Sequence, residues 1–145
     1  MSDLPRKAPD QATIKVMNEP ESIRTAEAQV VEAIERHHYP KASLFAIRLS
    51  LHEAMSNAFR HGHSKLPPQT PVHLFYHVLD DRVVLAVEDQ GPGFNPQSVP
   101  DPTLEENLER GSGRGLLLIR SYMASANYNP KGNRLEMVYT RPTPG

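Results

Sequence analysis

Three groups of side chains in this sequence have types and spacings suited to chemistry. In Leu51-His52-Glu53-Ala54-Met55-Ser56-Asn57-Ala58-Phe59-Arg60-His61, the residues Glu53, Asn57 and His61 recur four apart and so share one face of a helix. A carboxylate one turn from an amide is a candidate general base beside a ligand for a hard cation. Asn57 offers one oxygen to magnesium, which takes further ligands from phosphate and water, and Glu53 can accept a proton from an attacking hydroxyl or water. The second group is Asp89, which closes the apolar run Val83 to Val87 and precedes Gly91 and Gly93 in Asp89-Gln90-Gly91-Pro92-Gly93. A carboxylate held there can accept a hydrogen bond from an exocyclic amino group such as that of adenine. The third is Gly111-Ser112-Gly113-Arg114-Gly115-Leu116. Its glycines open a helix whose free N–H groups and dipole attract phosphate, and Arg114 adds a charge-assisted contact.

The chain has only 8 glycines against 14 prolines, and five of the eight fall in the two boxes around Gly91 and Gly113. No Gly-Lys-Ser/Thr follows them, which excludes a P-loop, and the Gly111 box follows a loop where a dinucleotide fingerprint would follow a strand. Taken singly, each group also suits a plainer role: a glycine turn, a solvated acid at a strand end, a polar helical stripe.

These residues need elements to hold them. Thr13 to Met17 reads as a short strand, and Pro20 suits the first turn of a helix with Ile23, Ala26, Val30, Ala33 and Ile34 on its apolar stripe, stopping by Pro40. Leu44, Ile47, Leu51, Met55 and Ala58 mark a second helix ending near Gly62; Phe45, Leu49 and Phe59 lie off that stripe, so it is expected to be covered on more than one side. Ser64 to Pro71 is a loop, and Val72 to Leu79 with Arg82 to Glu88 form a hairpin about Asp80-Asp81. Asn95 to Arg110, with Pro96, Pro100 and Pro102, reads as a surface loop or lid with one helical turn at Leu104 to Leu108. A third helix is expected from about Gly115 to Met123, then two strands joined by the turn Asn129 to Asn133. Without a βαβαβ rhythm, the elements favour an α+β two-layer sandwich over a doubly wound sheet.

Length and composition limit the rest. The 145 residues suffice for one domain, with residues 1–11 as a flexible lead-in. The 16 basic and 17 acidic side chains leave a net charge of -1, which argues against a polybasic binder of nucleic acid or membrane. The absence of cysteine excludes disulfide scaffolds, zinc knuckles and thiol catalysis, and with no apolar leader or span it favours the cytoplasm.

In order and spacing, these segments resemble the ATP-binding domain of the GHKL superfamily, shared by gyrase-type ATPases, heat-shock-90 chaperones, histidine kinases and MutL. Glu53 to His61 resembles its N box, Asp89 to Gly93 its Asp-x-Gly-x-Gly box, and Gly111 to Gly115 its second glycine box after the ATP lid. Within it, the Glu-Ala-x-x-Asn-Ala-x-x-His run, Asp101-Pro102, Gly113 to Leu116 and Gly132-Asn133 look like the anti-sigma-factor serine/threonine-protein kinases of bacterial partner-switching systems. The resemblance implies a mixed, mostly antiparallel sheet with helices on one face, and a single ATP-binding domain over residues 12–141. It implies ATP and magnesium as cofactors, Glu53 as general base, Asn57 as magnesium ligand and Asp89 as adenine contact. Gly91, Gly93, Gly111, Gly113, Arg114, Gly115 and Leu116 would shape the nucleotide pocket. The implied partners are a small antagonist protein phosphorylated on serine or threonine, a sigma factor, and a second copy in a homodimer. Histidine kinases carry asparagine where Glu53 stands and need a preceding helical dimerisation segment. The alternatives are a histidine-kinase-like ATPase module and a nucleotide-gated protein that sequesters its partner without phosphoryl transfer.

Overall fold

The computed structural model describes residues 8–93 and 112–143, the side chains of residues 112–114 excepted. In chain order the elements are β1 (Gln11–Val16), α1 (Pro20–Arg36), α2 (Lys41–Asn57) continued by a π turn (Ala58–Gly62), β2 (Val72–Val78), β3 (Arg82–Glu88), α3 (Ser112–Tyr122), β4 (Ser125–Tyr128) and β5 (Arg134–Thr140). The strands form one sheet in the order β1-β2-β3-β5-β4, antiparallel at every pairing. The fold is therefore the α+β two-layer arrangement expected, at the antiparallel limit of the implied mixed sheet.

Alternation sets the register. In β2, Val72, Leu74, Tyr76 and Val78 turn inward and are buried, while His73, Phe75 and His77 point to the opposite face. Leu74 sits opposite Val87 and Tyr76 opposite Leu85; across the next pairing Leu85 meets Met137 and Val87 meets Leu135. A slip of one residue would expose this whole inner set, and each buried Leu or Val is worth about 1.5–3 kcal/mol. The helices supply the other layer: Ala26, Val30, Ala33 and Ile34 from α1, and Ala46, Ile47, Leu51, Ala54 and Met55 from α2. Between the layers, the Ser43 hydroxyl meets the Tyr139 hydroxyl at 2.7 Å.

Two expectations change. The lead-in is shorter: β1 begins at Gln11, Ala8 is buried, and Pro9 accepts a hydrogen bond of 2.8 Å from the Tyr76 hydroxyl at its carbonyl. Apolar contact and a satisfied buried phenol hold a segment whose composition reads as loop. Of the residues off the α2 stripe, Phe59 is buried and Leu49 partly buried as expected, but Phe45 is 60% exposed, its ring meeting Tyr122 from α3 with centroids 6.1 Å apart.

An ionic cluster fastens the end of α1 to the strand ends. His37 lies between Asp10 at 3.0 Å and Asp80 at 2.6 Å, and Arg36 pairs with Asp10 at 2.6 Å. His38 takes a left-handed φ of 58° to leave the helix. Arg141 bonds the carbonyls of His37 and His38 and stacks on Tyr39, 3.9 Å from its centroid. The hydrogen bond to Asp80 holds the His37 pKa above its ordinary 6.5, and the bonds to His37 and Arg36 hold Asp10 below 3.8. A raised histidine stabilises fully below its unfolded pKa and loses that stability as pH rises through the folded value. A lowered carboxylate stabilises above its unfolded pKa and loses it as pH falls. The cluster is thus strongest between about pH 4 and 6.5. His37→Asn is expected to cost ~0.2–1 kcal/mol in that window and less by pH 8. Urea unfolding across the pH range checks it; a deficit that grows with pH would contradict the assignment.

Candidate functional site

The candidate residues gather where α2 ends. α2 is regular through Asn57, with Glu53 one turn earlier and half-buried. The π turn then closes with the His63 N–H bonded to the Ala58 carbonyl at 3.0 Å, one residue wider than an α-helical turn. This widening departs from the expected four-residue stripe: Asn57 is buried, while His61 is carried out to solvent.

Four glycines allow the parts to touch. A side chain at Gly62 would overlap the Asp89 carboxylate, and one at Gly91 would overlap the Gly62 carbonyl. A side chain at Gly115, in the first turns of α3, would overlap the Asn57 amide. Gly93 has φ 74° and lies against the Lys131 carbonyl, so both its backbone and its surroundings require glycine. The end of α2 thereby rests on α3 at Asn57 and on the end of β3 at Gly62.

Asp89 is buried, and its Oδ1 accepts the Gly91 N–H at 2.9 Å. Its second oxygen keeps lone pairs for another donor. The Asp89 N–H donates to the Asn133 carbonyl at 2.8 Å, and the Asn133 amide donates back to the Asp89 carbonyl at 3.0 Å. Asn133 is fixed by Asn129, whose Oδ1 accepts the N–H groups of Gly132, Asn133 and Arg134 at 2.8, 3.0 and 3.1 Å. From the other side, the Gln90 N–H donates to His63 Nε2 at 2.9 Å, and the Gln90 side chain donates to the Pro71 carbonyl at 2.9 Å. Burial pushes the Asp89 pKa above its ordinary 3.8, against the opposing pull of the Gly91 N–H and of nearby Lys131.

The end of α2 thus meets α3 at Asn57 and Gly115 and meets Asp89 and Gly91 at Gly62, with Glu53 a turn up the helix, while Gly93 lies against Lys131 in the β4–β5 turn. Leu116 is partly buried against the core. Gly113 lies within α3; Gly111, the lid from Asn95 to Arg110 and the Arg114 side chain fall outside the described residues. The sequence suggested no role at Asp89 for His63, Gln90 or Asn129: His63 and Asn129 lie far from it along the chain, and Gln90 is only the middle residue of the Asp89-Gln90-Gly91 run; the Gly132-Asn133 pair was the one available signal. Two surface clefts lie elsewhere. One of about 300 Å³ is on the outer sheet face at Thr13, His73, Phe75, Glu88 and Arg134. The other, of about 340 Å³, runs beside α2 past His52, Ser56 and Arg60. Neither holds the Asn57–Asp89 pair, whose candidacy rests on its donor set.

Comparison with known proteins gives two findings. Residues 16–139 match the family described as the histidine kinase-like ATPase domain. Serine-protein kinase RsbW of Staphylococcus epidermidis, in three strain versions, is 28% identical over 98 residues, covering 63% of this chain and 62% of the relative. The match thus spans less than two thirds of either protein.

A raised carboxylate pKa means that ionised Asp89 costs the folded state free energy above that pKa. Asp89→Asn keeps an acceptor for the Gly91 N–H and removes the charge. It is expected to raise the thermal midpoint at pH 7, the gain vanishing as pH falls through the carboxylate titration. The same variant should weaken adenine nucleotide binding roughly 10- to 100-fold, measured by calorimetry. Gly115→Ala places a methyl group against Asn57 and should remove the magnesium-dependent part of nucleotide affinity, read by titration with and without chelator.

Proposed function

The chain belongs to the histidine kinase-like ATPase domain family, and we propose that it is a cytoplasmic serine/threonine-protein kinase of the anti-sigma type. On this reading it uses ATP and magnesium to phosphorylate a small antagonist protein, and it binds a partner such as a sigma factor, as a homodimer presenting exposed residues of α1 including Arg24 and Glu32.

The donor set suits such a ligand. Asn57 is a buried, neutral amide packed against Gly115, and its oxygen is the type of hard ligand magnesium accepts alongside phosphate and water. Asp89 is a buried acceptor with its peptide clamped on both sides, suited to the amino group of adenine. When bound, magnesium would neutralise charge on the phosphates, which is much of what phosphoryl transfer asks of a protein. Asn57 would orient the phosphates through it, Asp89 would fix the base, and the backbone of the first turn of α3 would donate N–H groups to phosphate oxygens. Glu53 would take the proton of the acceptor hydroxyl.

The observation that carries kinase activity is Glu53 itself, a half-buried carboxylate one turn from Asn57 on the same helix. A protein that only bound nucleotide would need Asn57, Asp89 and the glycines but no base. The relative named as a serine-protein kinase supports the same reading. Incubation with γ-labelled ATP and a candidate antagonist protein, followed by mass spectrometry, tests it. Phosphoserine or phosphothreonine on the antagonist is expected, and Glu53→Ala should bind nucleotide normally while slowing transfer roughly 10²- to 10⁴-fold. Nucleotide binding without transfer to any antagonist would instead identify a nucleotide-gated sequestering protein.

A further inference from the structure

We propose that His63 is a positioning residue for base recognition: through the Gln90 peptide it aims the Asp89 carboxylate, and so sets the preference for adenine over a base lacking the exocyclic amine. This rests on the reading of Asp89 as the adenine contact and extends it to a residue outside the three motif boxes.

His63 is buried at 9% exposure directly after the π turn. A backbone N–H can only donate, so the 2.9 Å bond from Gln90 makes Nε2 the bare acceptor and leaves the ring proton on Nδ1. The acceptor is rigid. The His63 N–H is tied to the Ala58 carbonyl at 3.0 Å, its carbonyl accepts the Leu66 N–H at 3.1 Å, and its ring stands edge-on to Phe59 with centroids 5.7 Å apart. The two N–H groups after Asp89 are therefore both committed: that of Gln90 to His63, that of Gly91 to Asp89 Oδ1. Rotation of the Asp89–Gln90 peptide would withdraw the Gly91 N–H from the carboxylate; His63 holds the N–H end of this peptide and Asn133 its carbonyl end, so the two side chains share in blocking the rotation. Asn133 holds the preceding N–H and the carbonyl of Asp89, but it makes no contact with the Gln90 N–H. Discrimination by a hydrogen bond depends on how well the acceptor is held, because a loosely held carboxylate also tolerates a base without the donor.

The test uses the full chain with magnesium and two ligands, ADP and inosine diphosphate, which carries a carbonyl where adenine carries the amine. The quantity read is the ratio of their dissociation constants, which is insensitive to the fraction of protein folded. His63→Phe keeps a ring against Phe59 and removes the acceptor; His63→Gln returns an acceptor on a flexible stem. Wild type is expected to favour ADP, His63→Phe to lower the ratio about tenfold, and His63→Gln to recover most of it. If the Phe variant does not fold, His63→Leu takes its place. Both affinities falling together at an unchanged ratio would reduce His63 to a structural role and overturn the proposal. A wild type that binds the two diphosphates equally would instead overturn the reading of Asp89 on which the proposal stands.

Discussion

The contact between Gly62 and the Asp89 carboxylate is the constraint around which the site is organised. Only a residue without a side chain lets the end of α2 come so close to the end of β3. That closeness removes water from the carboxylate, which raises its pKa and makes its charge costly. Part of that cost is offset by donors fixed before any ligand arrives, chiefly the Gly91 N–H. Groups held in advance at some expense to the fold are what binding and catalytic sites require.

One helix serves both ends of this arrangement. The regular part of α2 carries Glu53 and Asn57, and its widened last turn carries Gly62 and leads into His63. Because Ile47, Leu51 and Met55 are fully buried along the same helix, its two ends cannot shift independently. The spacing between the Asn57 amide and the Asp89 carboxylate is thus set by a packed core and not by loop geometry. Among the described glycines, Gly62, Gly91 and Gly115 bring α2 against α3 and the end of β3.

Much of this was legible in the sequence. The stripes of α1 and α2 and the alternation in β2 and β3 were read at close to their observed limits, because amphipathic periods of 3.6 and 2 leave direct traces in residue order. Glu53, Asn57 and Asp89 were singled out by residue type, and the structure places Asn57 and Asp89 buried where α2 and β3 end. The rest depended on tertiary contact. A π turn has no periodicity of its own, so the expected Glu53–Asn57–His61 stripe failed at His61. The packing of Ala8 to Asp10 follows from partners on α1 and β2 that local composition does not reveal. His63 and Gln90 are joined across 27 positions, a pairing no local pattern encodes. Phe45 was expected to be covered because it lies off the main stripe of α2, yet it stays 60% exposed beside Tyr122.

The strand order has a consequence for how the protein is made. β5 lies between β3 and β4, so the strand bearing Asp89 gains its second neighbour only when the last strand of the sheet arrives. The Asn133 clamp on Asp89 spans 44 positions, and sequence-distant contacts of this kind form late because the chain entropy of closing the loop must be met first. On the ribosome, helices α1 and α2 and the β2–β3 hairpin emerge well before the residues that lock the carboxylate in place. A nascent chain therefore passes through a stage in which Asp89 exists but is not yet clamped by Asn133.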